Sequence, residues 1–152
     1  MKKLAFALIG TAIAFTALSG PASAAPAGFL EACDENGGVA VVPAGTPTKA
    51  EIHWLDTRKS LVRQFLRLQT TTATVDGVPV TDASRRWGPV LPTGNVWSTT
   101  WSYDLGVFAS PGDSATVSID IALARKLRGG DGVVYGPGSV LDRRITCTIN
   151  AV

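Results

Sequence analysis

The strongest constraint on the fold is a stretch near the C-terminus, Leu141-Asp142-Arg143-Arg144-Ile145-Thr146-Cys147-Thr148-Ile149. Leu141, Ile145, Cys147 and Ile149 share one parity; Arg144, Thr146 and Thr148 take the other. Successive side chains of a strand point to opposite faces, so the first set is expected on a buried face and the second in solvent. Cys147 then points into the core. The one other cysteine, Cys33, lies close to where an exported chain would begin. The two are read as a disulfide tying the first strand to the last. Closing a loop of that length would constrain the unfolded chain by about 4–5 kcal/mol in the chain-entropy account. With no near pair of ligands, the cysteine spacing does not suit a metal site.

An exported chain is expected because residues 1–24 read as a cleaved secretory signal peptide. Lys2 and Lys3 form a positive start, Leu4 to Leu18 is almost wholly apolar, and Ala22-Ser23-Ala24 supplies small residues for cleavage. The apolar run is shorter than the roughly 20 residues of a comfortable span. No second run of that kind follows, so no membrane span is expected after cleavage. The full chain carries 14 Lys+Arg against 12 Asp+Glu; Lys2 and Lys3 leave with the leader and no acid does, so the remainder is neutral. A neutral domain has no bulk attraction to nucleic acid or to an anionic membrane.

Residues 25–32 are expected to be a flexible lead-in, and 33–152 a single domain with one sizeable core. Val39-Ala40-Val41-Val42 reads as a short strand ended by Pro43 and Gly45, with a turn at Asn36-Gly37-Gly38 before it. Ile52 and Trp54 share a face in a second strand, with Trp54 inward. Between Asp56 and Gln69, Leu61, Val62, Phe65, Leu66 and Leu68 recur at helical spacing. This predicts one short helix near residues 58–69, capped by Asp56 or Thr57, with Arg58, Lys59, Arg63 and Arg67 outward. A long strand is the rival reading there.

Asp76-Gly77 between Val75 and Val78 predicts a two-residue hairpin of type I′, and Pro79 makes the returning strand short or places it at an edge. Thr81 to Asn95 reads as loop. Val96 to Leu105 and Ser114 to Leu123 alternate as strands, with Trp97, Thr99, Trp101, Tyr103 and Leu105 on one face of the first. Ser110-Pro111-Gly112-Asp113 is a turn between them. Arg125 to Ser139 reads as a long Gly-rich loop, with room for one small strand.

About seven short strands with half-buried alternation and Gly/Pro turns predict an all-β fold, an antiparallel β-sandwich of immunoglobulin-like type. Over roughly Cys33 to Ile149 the pattern resembles small exported bacterial proteins with such sandwiches. The resemblance is architectural and carries no functional residue across. It departs from the antibody pattern, because Cys33 and Cys147 lie too far apart for the usual strand pair.

Catalytic and cofactor motifs are missing, and no cofactor or metal is expected. The single histidine, His53, falls on the face opposite Ile52 and Trp54 and has no Gly-x-Ser-x-Gly near it. Gly129-Gly130-Asp131-Gly132 lacks the lysine and the strand–helix frame of a phosphate loop and the alternating acids of a calcium loop. Trp54, Trp97 and Trp101 are read as core. Trp87 differs, because it sits in a loop beside Arg85 and Arg86, a composition that binding hot spots favour. Tyr135, in the Gly-rich loop, is the second candidate. The leading expectation is an exported, non-catalytic binding protein that meets an extracellular protein or polysaccharide through loops around Arg85, Arg86, Trp87 and Tyr135. Two rivals are a purely structural secreted protein and a small hydrolase using a carboxylate pair.

Overall fold

The computed structural model describes residues 27–30, 33, 38–138 and 144–152. The signal-peptide reading of 1–24, the turn residues Asn36 and Gly37, and Leu141 lie outside them. Among the described residues the fold is mostly β with one helix, α1 (Lys59–Leu68). The strands are β1 (Ala27–Phe29), β2 (Val39–Val42), β3 (Pro47–Asp56), β4 (Gln69–Val75), β5 (Val78–Pro79), β6 (Leu91–Thr93), β7 (Val96–Val107), β8 (Ser114–Leu123), β9 (Leu127–Arg128), β10 (Val134–Tyr135) and β11 (Arg144–Ala151).

They form a four-stranded sheet, β1-β3-β7-β6, a five-stranded sheet, β2-β11-β8-β4-β5, and a separate β9–β10 hairpin. Two edge pairs are parallel, β1 with β3 and β2 with β11, where antiparallel pairing was expected throughout. Both edge partners come from the N-terminal segment. A parallel neighbour needs a long crossover, and most of the domain separates β2 from β11. The stretch read as a flexible lead-in thus contains a paired strand, and Leu30 just after it is fully buried.

One core joins the two large sheets. β8 alternates along its whole length, with Ala115, Val117, Ile119, Ile121 and Leu123 buried. Cys147, Ile149 and Ala151 of β11 are buried beside it, and Arg144 and Thr146 face out, as the alternation predicts. The sheet of β3 and β7 contributes Ile52, Trp54 and Trp101. Each fully buried aromatic ring adds on the order of 4–6 kcal/mol of gross transfer free energy. Cys33 and Cys147 are joined by a disulfide across a sequence separation of 114. Trp97, expected in the core, is only half-buried, because it sits one residue into β7 where the sheets end.

The two ends of the molecule differ. At one end the strands reverse through tight turns. Asp76 and Gly77 both take positive φ, 50° and 79°, as the type I′ turn requires. At the other end α1 carries the chain from β3 across to β4, and β9–β10 lies between β8 and β11. Thr81–Asn95, expected as loop, contains a 3₁₀ turn at Ala83–Arg85 and the short β6.

Candidate binding surface

The end built by α1 and the β9–β10 hairpin hangs on one carboxylate. Alternation along β3 turns Asp56 inward with Ile52 and Trp54, and it is buried. Its Oδ1 accepts hydrogen bonds from the Arg58 N–H at 3.0 Å and from the Thr57 hydroxyl at 3.4 Å. Its Oδ2 accepts from the Gly130 N–H at 3.0 Å. The expected cap is therefore corrected. Arg58 is the N-cap and its side chain makes no cap bond, while Asp56 ties the helix start to the hairpin turn. A Cβ at Gly130 would strike Thr57 Oγ1 and Asp56 Oδ1, so the approach needs glycine.

Asp131 organises the hairpin from within. Its Oδ1 accepts from the Val133 N–H at 2.9 Å, and its Oδ2 accepts from the Tyr135 hydroxyl at 3.2 Å. Burial raises the pKa of Tyr135 above its ordinary value; the hydrogen bond to Asp131 and the charges of Asp131 and Asp56 add to the rise.

Tyr135 begins a row of four rings. Its edge meets Trp54 at 4.7 Å, Trp54 stacks on Phe65 at 4.3 Å and 5°, and the edge of Phe65 meets Trp87 at 4.9 Å. Phe65 and Val62 are the buried face of α1. The Trp87 indole donates to Thr71 Oγ1 at 2.9 Å, and Ser84 bonds both the N–H and the C=O of Thr71. The indole N–H of Trp54 is buried with no hydrogen-bond partner among the described residues.

Trp87 and Tyr135 thus occupy opposite ends of one aromatic row and do not touch. Trp87 is half-buried and packs against the core. Arg85 and Arg86 are exposed and turn elsewhere: the Arg86 guanidinium lies 4.9 Å over the Tyr103 ring, and its Nε donates to the Thr81 carbonyl. The structure does not gather the four residues into one patch.

Beside Tyr135 is a shallow cleft of about 170 Å³, lined by Leu55, Asp56, Thr57, Val96, Asp131 and Tyr135. Leu55 at its rim is 52% exposed, and Val133 and Val134 of the hairpin are 40% and 41% exposed. The nearby Lys59 ammonium lies 4.4 Å over the Trp97 ring. A wider depression of about 410 Å³ runs past Thr71 and Ser84, but those two residues already bond each other. The sequence reading weighs Asp56 as a cap and Asp131 as part of a Gly-rich loop, and places neither them nor Leu55 in a binding site. The visible signal was the parity of β3, which sets an acid on the inward face at a strand end. Asp56 and Asp131 share the cleft, and both are engaged by loop donors. His53 lies on the outer face of β3, half-buried, in register with Thr100. Among the described residues no group of three or more His, Cys, Asp or Glu side chains is arranged to hold a metal ion, and no helix is long and apolar enough to cross a membrane.

Comparison of the chain with protein-family models, with curated proteins and with solved structures finds no match to any of them.

Proposed function

We propose that the protein is an exported, non-catalytic binding module of immunoglobulin-like sandwich type, acting outside the cell or in the envelope. The partner is an extracellular protein or a polysaccharide, met at the end formed by α1 and the β9–β10 hairpin. The strand order supports the fold assignment: β3-β7-β6 and β11-β8-β4-β5 follow the B-E-D and G-F-C-C′ orders of immunoglobulin domains. On that assignment α1 is the B–C connection and the hairpin lies in the F–G connection, at the end where variable domains carry their binding loops. The signal-peptide pattern and the disulfide support the location.

The observation that carries the reading is the cleft at Tyr135. Exposed apolar side chains and an amphipathic ring stand on a rigid aromatic row, and such rings hold binding hot spots at low entropic cost. The test is a screen of the purified protein against immobilised glycans and extracellular proteins, repeated with Leu55→Asp and Tyr135→Ala. Both variants are expected to weaken the selected interaction at least tenfold. Leu55→Asp, at an exposed position, is expected to leave the melting temperature within a few degrees of the parent. Unchanged binding by both would sink the assignment. The hydrolase reading draws on Asp56 and Asp131 in one cleft; it ranks below the binding and the purely structural readings because Asp56 is committed to Arg58 and Gly130.

A further inference from the structure

Resting on that reading, we propose that the partner is an acidic polysaccharide, held along the outer face of α1 with its sugar rings turned toward the Tyr135 cleft.

The first observation is that α1 breaks its own local rules. No acid stands in its first turn and its N-cap residue makes no side-chain cap bond; Asp56 reaches the Arg58 N–H from outside the helix. Arg58 and Lys59 instead place positive charge at the helix end whose dipole is already positive. Lys59, Arg63 and Arg67 are four apart, so they form one stripe about 12 Å long in which neighbouring like charges oppose each other. Val62 and Phe65 face inward, and Arg63 and Arg67 are exposed. Among the described residues no carboxylate lies within ion-pair distance of the three; the ion pair at this end is Arg144–Asp120, at 4.0 Å. Local features that disfavour the free fold are the ones expected at a functional site.

The second observation is that the fold adds cations from a distant segment. The Ala124 N–H donates to the Leu68 carbonyl at 2.9 Å, which sets Arg125 beside the C-terminus of α1. Leu127 is buried on β9, which packs against α1; the exposed Arg128 follows it on the strand and the exposed Lys126 just precedes it. The opposite end carries Asp76, Asp104 and Asp113 in its turns. In a chain whose formal net charge is only +2, the described residues thus gather a cluster of cations at the α1 end. Composition alone argued against an anionic partner, whereas the arrangement argues for one, because a local patch attracts at ranges within the Debye length of about 8 Å.

The third observation selects the kind of polyanion. The cleft adjoining the stripe is lined by the carboxylates of Asp56 and Asp131 and by the Tyr135 ring. Both carboxylates are already engaged by loop donors, so the ring is what the cleft offers a ligand, and an aromatic face takes the apolar side of a sugar. Cations beside such a ring match a polymer that carries both acidic groups and sugar rings.

The test measures binding of the purified protein to alginate, a polyuronate, with neutral dextran, phosphatidylglycerol vesicles and duplex DNA beside it. Alginate is expected to bind, and to bind about tenfold or more weakly when salt is raised from 50 to 200 mM. Arg63→Glu/Arg67→Glu should abolish this binding, and the milder Arg63→Gln/Arg67→Gln should weaken it several-fold with an unchanged thermal melt. Equal binding of alginate by parent and both variants overturns the proposal. So does binding to vesicles or DNA with alginate ignored. If a neutral glycan or a protein binds in a Tyr135-dependent way that ignores both arginine variants, the binding-module reading stands and the acidic polysaccharide falls.

Discussion

The two ends of the domain differ in how far residue choice and local structure agree. At the turn end each acid answers a nearby backbone donor. Asp76 accepts from the Thr116 N–H, Asp104 from the Gly106 N–H, and Asp113 from the Ser110 N–H, all at 2.8–2.9 Å. Residue choice, turn geometry and hydrogen bonding agree there, as they do in a sequence selected for folding. At the other end Asp56 and Asp131 also answer backbone donors, but the N-cap residue of the helix makes no side-chain cap bond, cations line one stripe, and an indole N–H lies buried without a partner among the described residues. Stability accounts for the acids of both ends and does not account for the cation stripe of α1. That contrast supports placing recognition at α1 and the hairpin.

The comparison breaks most readily at Phe65, the buried ring between Trp54 and Trp87. Phe65→Ala is expected to destabilise the domain by about 3–5 kcal/mol, from lost burial and the cavity left behind. Urea unfolding followed by tryptophan fluorescence would measure it; a loss under about 1 kcal/mol would mean that the aromatic row is not what seats the helix. Gly77→Ala probes the other end with no side-chain contact involved, since nothing lies within 4 Å of a Cβ built there. Forcing alanine to a φ of 79° is expected to cost about 1–2 kcal/mol. Amide exchange should show the loosening at β4 and β5, with α1 unaffected.

The same contrast decides how much was legible in advance. β8 matches its expected bounds because strict alternation has one interpretation. The Asp76-Gly77 turn and the helix were readable for the same reason, as was the Cys33–Cys147 pairing once export was inferred. β6 and β9 were not, since two- or three-residue strands carry no period and form only where a neighbour offers a partner; β10 was legible only as room for one small strand in the Gly-rich loop. Nor were the hydrogen bond from Gly130 to Asp56 and the stacking of Phe65 on Trp54, which join residues whose contact depends on how α1 crosses the sheets. Neutral composition concealed the cation cluster at α1, because a count does not record position.

The smallest expected effect sharpens the comparison at its most local point. Burial, the hydrogen bond to Asp131, and the charges of Asp131 and Asp56 all raise the pKa of Tyr135 above its ordinary value of 10.0. The folded state therefore keeps this proton to higher pH than the unfolded state does. The corresponding stability is fully present below the unfolded value and is lost as pH rises through the folded one, so the hairpin should weaken in the alkaline range and not near neutrality. The phenolate absorbance present in the parent and missing in Tyr135→Phe should titrate with a midpoint above 10, measured while the circular dichroism still reports a folded domain. Asp131→Asn removes a nearby negative charge and should lower that midpoint. A midpoint at or below 10 in the parent would mean that Tyr135 stands free of Asp131 and Asp56, and the cleft would then lose the wall that separates it from the turn end's pattern of locally paired acids.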